Sequence, residues 1–193
     1  MAITKTWPVA VARAAVDAGL VMLGENRVQE AEPKVAAIPE AEWHLVGRLQ
    51  SNKVRRAVRA FPIIHSVDSF ELLGRLDAIA AEEGTDTRVL LEVNVSGEAA
   101  KAGMAPDDLA ALAANHPSTI RLTGLMTMAP MGATDEAARA IFGQLRELRD
   151  RLEQMAGIGL PELSMGMSAD SEAAAAEGAT LVRIGTALFG PRV

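Results

Sequence analysis

The sequence predicts an α/β chain folded as a single (β/α)8 TIM barrel over residues 1–193, and three observations predict it. Short β-type runs alternate with longer stretches of helical periodicity from one end to the other, as repeated βα units around a parallel sheet require. The β-type runs number eight, the count of a closed (β/α) barrel. No Gly-x-Gly-x-x-Gly follows any of them, which removes the usual sign of an open dinucleotide-binding sheet. With 193 residues, 49% of them apolar, the chain supports one substantial core and is short for two, and no linker rich in Pro, Gly or Ser divides it.

In chain order, the first β-run is Ala2-Ile3-Thr4-Lys5. Pro8 opens the next helix where its missing N–H costs nothing, and Gly19 closes it. Met22-Leu23-Gly24-Glu25 and Trp43-His44-Leu45-Val46-Gly47 are the second and third runs. Lys53, Arg55, Arg56 and Arg59 follow inside a helical pattern, as a solvated basic face. Ile63-Ile64-His65-Ser66-Val67 is the fourth run, and Ser69 caps a helix that starts near Phe70 and ends before Gly84. After the fifth run, Val89 to Val95, Pro106 with Asp107 and Asp108 starts a helix that ends around His116 and Pro117. Leu122 to Thr127 is the sixth. The longest helix runs from about Asp135 to Met155, with Ile141, Leu145, Leu148 and Leu152 on one face. Leu163-Ser164-Met165-Gly166 and Leu181-Val182-Arg183-Ile184-Gly185 complete the eight, and His44 and His65, inside strands, are read as packing residues.

Composition excludes several function classes. A net charge of -6 argues against binding nucleic-acid phosphates. With no cysteine there is no disulfide, thiolate catalysis or cysteine metal site, and the three histidines show no zinc-ligand spacing. No apolar run approaches the ~18 residues of a membrane helix, and the first residues do not resemble a leader, so the expected compartment is the cytoplasm.

Barrel chemistry belongs at the carboxyl ends of the strands, and three places there carry it. Lys5, between Thr4 and Thr6, sits where an amine in the barrel mouth is a nucleophile toward an aldehyde. Ser164-Met165-Gly166-Met167-Ser168-Ala169-Asp170 is a strand end, a small-residue turn and a helix start, with Ser168 as the expected helix cap. In Arg183-Ile184-Gly185-Thr186, Gly185 permits close backbone approach and Thr186 adds a hydroxyl, so a phosphate fits between this turn and Ser168. Arg183 alternates into the barrel interior, where it needs a carboxylate or a ligand as partner. One lysine and a phosphate cradle leave two readings open, pyridoxal 5′-phosphate (PLP) or a sugar phosphate.

Together, Ala2-Ile3-Thr4-Lys5-Thr6, Gly24-Glu25-Asn26-Arg27-Val28-Gln29-Glu30, Trp43 to Lys53, Gly124-Leu125-Met126, Leu163 to Asp170 and Val182 to Gly190 resemble the PLP homeostasis (YggS/PROSC) family, in its order and across nearly the whole chain. The resemblance implies a fold-type III PLP barrel similar to the N-terminal domain of alanine racemase, with the cofactor as a Schiff base on Lys5. It further implies that Ser168, Gly185 and Thr186 hold the phosphate, that Arg183 faces the pyridine nitrogen, and that Asn26 and Ser164 line the pocket. An arginine there repels a proton on the ring nitrogen and weakens PLP as an electron sink. The expected function is therefore PLP binding and homeostasis without robust turnover, with PLP-dependent apoenzymes as possible recipients; the alternative is a racemase-like PLP enzyme acting on a small amino acid. Alanine racemases use a second domain and an opposing tyrosine, and this chain has no tyrosine and no residues after Val193. It also lacks the helix that usually precedes the lysine strand, which leads to the expectation of lower stability than full-length relatives or of weak self-association that covers the gap; the chain is otherwise expected to be a monomer.

Overall fold

The computed structural model describes residues 1–98 and 102–191. Eight strands form one parallel sheet in sequence order: β1 (Ala2–Ile3), β2 (Met22–Glu25), β3 (Glu42–Leu45), β4 (Ile63–Val67), β5 (Arg88–Glu92), β6 (Arg121–Met126), β7 (Glu162–Met167) and β8 (Leu181–Arg183). The sheet closes on itself where Ala2 bridges Ile184: the Ile3 N–H donates to the Ile184 carbonyl at 2.8 Å, and the Ile184 N–H donates to the Met1 carbonyl at 3.0 Å. The helices are α1 (Val9–Asp17), α2 (Val28–Ala37), α3 (Val54–Ala60), α4 (Phe70–Glu83), α5 (Asp135–Ala156), α6 (Ser171–Ala176) and α7 (Thr186–Phe189).

Local chemistry explains most boundaries. The Ser69 and Thr134 side chains accept from the N–H groups of Leu72 and Ala137, and Gly84 and Gly157 end α4 and α5 in left-handed backbone that glycine adopts without strain. Gly19, at φ 90°, follows the end of α1 in the same way. The segment Pro106–Asn115 winds as a 3₁₀ helix rather than the expected α-helix.

Alternation along the strands sorts the interior. Trp43, Leu45, Val89, Leu91, Leu163 and Met165 point outward into the main core beneath the helices, joined by Phe142, Leu145, Leu148 and Leu152 of α5. Each such side chain contributes about 2 kcal/mol by leaving water. The opposite parity fills the barrel with a small apolar layer of Ile63, Leu90 and Met126. The same interior also holds polar side chains: His44, His65, Ser164 and Arg183 are all buried. Gly124 is required by close approach, because a Cβ there would lie 1.9 Å from the Glu162 carbonyl oxygen of β7.

Candidate functional site

At the carboxyl ends of the strands, Lys5, Asn26, Ser168, Arg183, Gly185 and Thr186 line one cavity of about 280 Å³ whose wall is completed by Ile3, Val46, Met128, Met167 and Ala169. Six of the seven site residues read from the sequence therefore meet at one place. The seventh, Ser164, is fully buried one layer deeper, behind Arg183.

Lys5 follows β1 by two residues, and the backbone on both sides of it is constrained. Before it, Thr4 is wholly buried in a polar clasp. The Thr4 hydroxyl donates to Glu25 Oε1 at 2.6 Å, while the Lys34 ammonium donates to the same oxygen at 2.6 Å and to the Thr4 carbonyl at 2.8 Å. After it, Thr6 holds φ at 68°, a left-handed conformation unusual for a β-branched residue. The clasp is invisible to motif reading. Its one signal is that Lys34 falls on the apolar stripe of α2, three residues past Ala31 and six past Val28.

Ser168 departs from its expected role. Asp170, not Ser168, occupies the N-cap position of α6. The Ser168 hydroxyl instead accepts from the N–H groups of Gly185 and Ala187, each at 3.3 Å, tying the β7 turn to the start of α7. Bonds that long are weak, so an anion entering there can take over these amides while the hydroxyl turns to donate to it.

Arg183 also finds partners other than those expected. Its Nη1 donates to the carbonyl of Ser164 at 2.8 Å and to the Ser164 hydroxyl at 2.6 Å, and its Nη2 donates to the carbonyl of Thr127 at 2.9 Å. Carbonyls and a hydroxyl hold the cation where a carboxylate or ligand was expected. Three of the five N–H groups of a guanidinium are thus spent, which leaves Nε–H and the second Nη2–H on a residue that lines the cavity. Burial lowers its pKa to about 10, against the attraction of Asp170 and Glu92, so it stays a cation at neutral pH.

Behind Ser164, and unforeseen as a network, runs a buried chain of side chains. The Ser164 hydroxyl lies 2.9 Å from His65 Nδ1, His65 Nε2 lies 2.8 Å from His44 Nδ1, and His44 Nε2 lies 3.0 Å from Glu42 Oε1. Glu42 also accepts from Arg88 at 2.8 Å, at the start of β3 and the opposite end of the barrel. Burial drives the His44 pKa down to about 4 despite its bond to Glu42, and drives that of His65 well below its ordinary value. Both rings are neutral.

Glu92, the last residue of β5, is 4% exposed and lines a second cavity of about 360 Å³ that shares Met128 and Met167 with the first. Burial raises its pKa to about 7. Asn26 lines the first cavity, and its side-chain oxygen is buried without a hydrogen-bond partner among the described residues. A lone acceptor, a spare guanidinium edge, a lysine amine and an exchangeable amide cradle fit PLP, whose phosphate, ring nitrogen and aldehyde need an anion site, a donor and an amine.

The family described as alanine racemase, N-terminal domain, matches residues 1–193. The pyridoxal phosphate homeostasis protein of Aquifex aeolicus is 44% identical across 98% of this chain and 85% of its own length, and that of Pseudomonas aeruginosa is 46% identical across 100% and 84%. PipY of Synechococcus elongatus, solved with PLP bound, superposes with a TM-score of 0.93 at 45% identity, covering 98% of this chain and 91% of that one. A Clostridium difficile alanine racemase superposes with a TM-score of 0.83 at 17% identity over 99% of this chain and 52% of its own, a likeness of fold alone.

Proposed function

Because the chain belongs to the alanine racemase N-terminal domain family, and within it to the pyridoxal phosphate homeostasis proteins, we propose that it binds PLP through Lys5 and serves in maintaining the supply of that cofactor. The bound cofactor supplies an aldehyde that a lysine amine captures covalently and a ring that can delocalise charge. Lys5, its backbone held between Thr4 and Thr6, presents the amine. Ser168, Gly185 and Thr186 receive the phosphate. Asn26 offers its unpaired oxygen to a donor on the ligand. Ser164 acts from below, by holding Arg183.

The observation that carries the reading is Arg183, clamped by three hydrogen bonds and still charged, with two donors left unspent in the cavity wall it helps to form. A cation there donates to the unprotonated ring nitrogen and opposes its protonation, which suits retention of the cofactor over carbanion chemistry. The chain has no tyrosine, so the opposing tyrosine of the alanine racemase design has no counterpart among its residues. Delivery to PLP-dependent apoenzymes in the cytoplasm belongs to the same reading. No helix among the described residues is long and apolar enough to cross a membrane.

The test is the absorption spectrum of the purified protein with added PLP, followed by borohydride reduction and peptide mapping beside Lys5→Ala. The expected result is a shifted PLP band, with the label fixed on Lys5 and lost in the variant. An unchanged band and label in Lys5→Ala would overturn the assignment.

A further inference from the structure

The chain from Arg183 to Glu42 has a direction that hydrogen counting decides. The Ser164 hydroxyl carries one proton and already accepts from Arg183 Nη1. Among the described residues the hydroxyl has one place to send that proton, His65 Nδ1. His65 Nδ1 must then be an acceptor, and a neutral imidazole with Nδ1 bare carries its proton on Nε2. That proton goes to His44 Nδ1, so His44 is likewise an Nε2–H tautomer, and its proton goes to Glu42. Every donor in the chain points away from the cavity. The opposite polarity would leave the buried Ser164 hydroxyl hydrogen without an acceptor, which is costly.

We propose that His65, backed by His44 and Glu42, is a positioning residue for the cofactor pocket. By taking the Ser164 proton, it keeps Ser164 Oγ an acceptor for Arg183 and so fixes the guanidinium edge that meets the ligand. Without that sink the hydroxyl proton turns back toward the guanidinium, and Arg183 loses one of its three anchors. The arrangement spans the barrel from Glu42 and Arg88 at one end to the cavity wall at the other, so residues remote from the ligand set its donor geometry. The inference rests on PLP as the ligand, as proposed above.

Two measurements test it. In the cofactor-free protein, long-range ¹H–¹⁵N correlation of the imidazoles should show His44 and His65 as neutral Nε2–H tautomers; a proton on His65 Nδ1 overturns the proposal. PLP affinity is then compared for wild type, His65→Leu and His65→Asn. Leucine fills much of the volume but accepts no proton, whereas the asparagine amide oxygen stands near the place of Nδ1 and can accept it. Both substitutions cut the link to His44 and should lower thermal stability. Affinity should separate them, falling about tenfold in His65→Leu, the effect of one hydrogen bond, and staying within about threefold of wild type in His65→Asn. Equal losses in the two variants, or none in either, overturn the proposal. Wild type that takes up no PLP would instead sink the cofactor reading and leave the tautomers to be judged by the first measurement, which also decides the matter if His65→Leu fails to fold.

Discussion

Lys34 shows how much a single buried charge holds in place. Lys34, 5% exposed, is matched by a carboxylate that is wholly buried, and Glu25 Oε2 has no hydrogen-bond partner among the described residues. Removing one member of such a pair leaves the other charged and dry, at a cost of about 3–5 kcal/mol, whereas replacing both with apolar groups is often near neutral. Lys34→Met should therefore lower the urea unfolding free energy by about that amount, and Lys34→Met with Glu25→Leu should recover most of it. If the double variant is no more stable than the single one, the clasp is not the source of the loss. At this scale the sequence discloses Lys5, Arg183 and the turn residues, because each stands at a strand end where barrel chemistry gathers. It does not disclose the partners. The contact of His44 with His65 joins residues 21 apart, and their facing depends on the β3–β4 pairing, which sets His44 opposite Ile63.

Among the elements, the join between α4 and β6 is held by one side chain. Asp77 on α4 accepts from the backbone N–H groups of Ser118, Thr119 and Ile120 and from the Ser118 hydroxyl, at 2.7 to 3.1 Å. These bonds hold its carboxyl below the usual range despite partial burial. The same helix has an ordinary cap in Ser69, which accepts one N–H at 3.2 Å. Charge-assisted bonds outweigh a neutral cap, so Asp77→Ala should cost about 2 kcal/mol and Ser69→Ala about 1 kcal/mol in chemical denaturation. The reverse order would show that the Asp77 bonds are made largely at the expense of water. Ser69 was legible because a cap is local to its helix, and the long amphipathic helix was legible for the same reason. Asp77 was hidden because the groups it binds lie 41 to 43 residues away.

For the whole molecule, the buried titrating groups His44, His65 and Glu92 contribute to how stability varies with pH. The folded-state pKa of His44 lies at about 4, below its ordinary 6.5, and that of His65 is lowered as well. The unfolded chain therefore binds protons first as the medium acidifies, and the stability these histidines confer is full above about pH 6.5 and lost toward pH 4. Glu92 acts in the opposite sense. Its folded-state pKa is raised from 4.5 to about 7, so the unfolded chain ionises first and stability declines as pH rises across that window. Glu92→Gln should thus stabilise the protein by roughly 1–3 kcal/mol above about pH 7 and leave it unchanged below about pH 4.5, read from denaturation midpoints across the range. A pH-independent gain would assign the effect to packing. The eight-strand count and the absence of a dinucleotide loop carried the architecture into view beforehand, since both are statements about order along the chain. The polar filling of the barrel was out of reach because it needs strand register around a closed sheet.

The clasp beside Lys5 bears on local unfolding as well as on geometry. A two-residue strand such as β1 would ordinarily fray, and its amides would exchange with solvent through small openings. Here the Thr4 amide is bonded to the Gly24 carbonyl while the Thr4 carbonyl is bonded to a lysine on α2. The segment cannot peel away unless α2 releases it and a buried carboxylate is exposed, so hydrogen exchange at Thr4 should follow the detachment of that helix, with β1 and α2 opening as one cooperative unit.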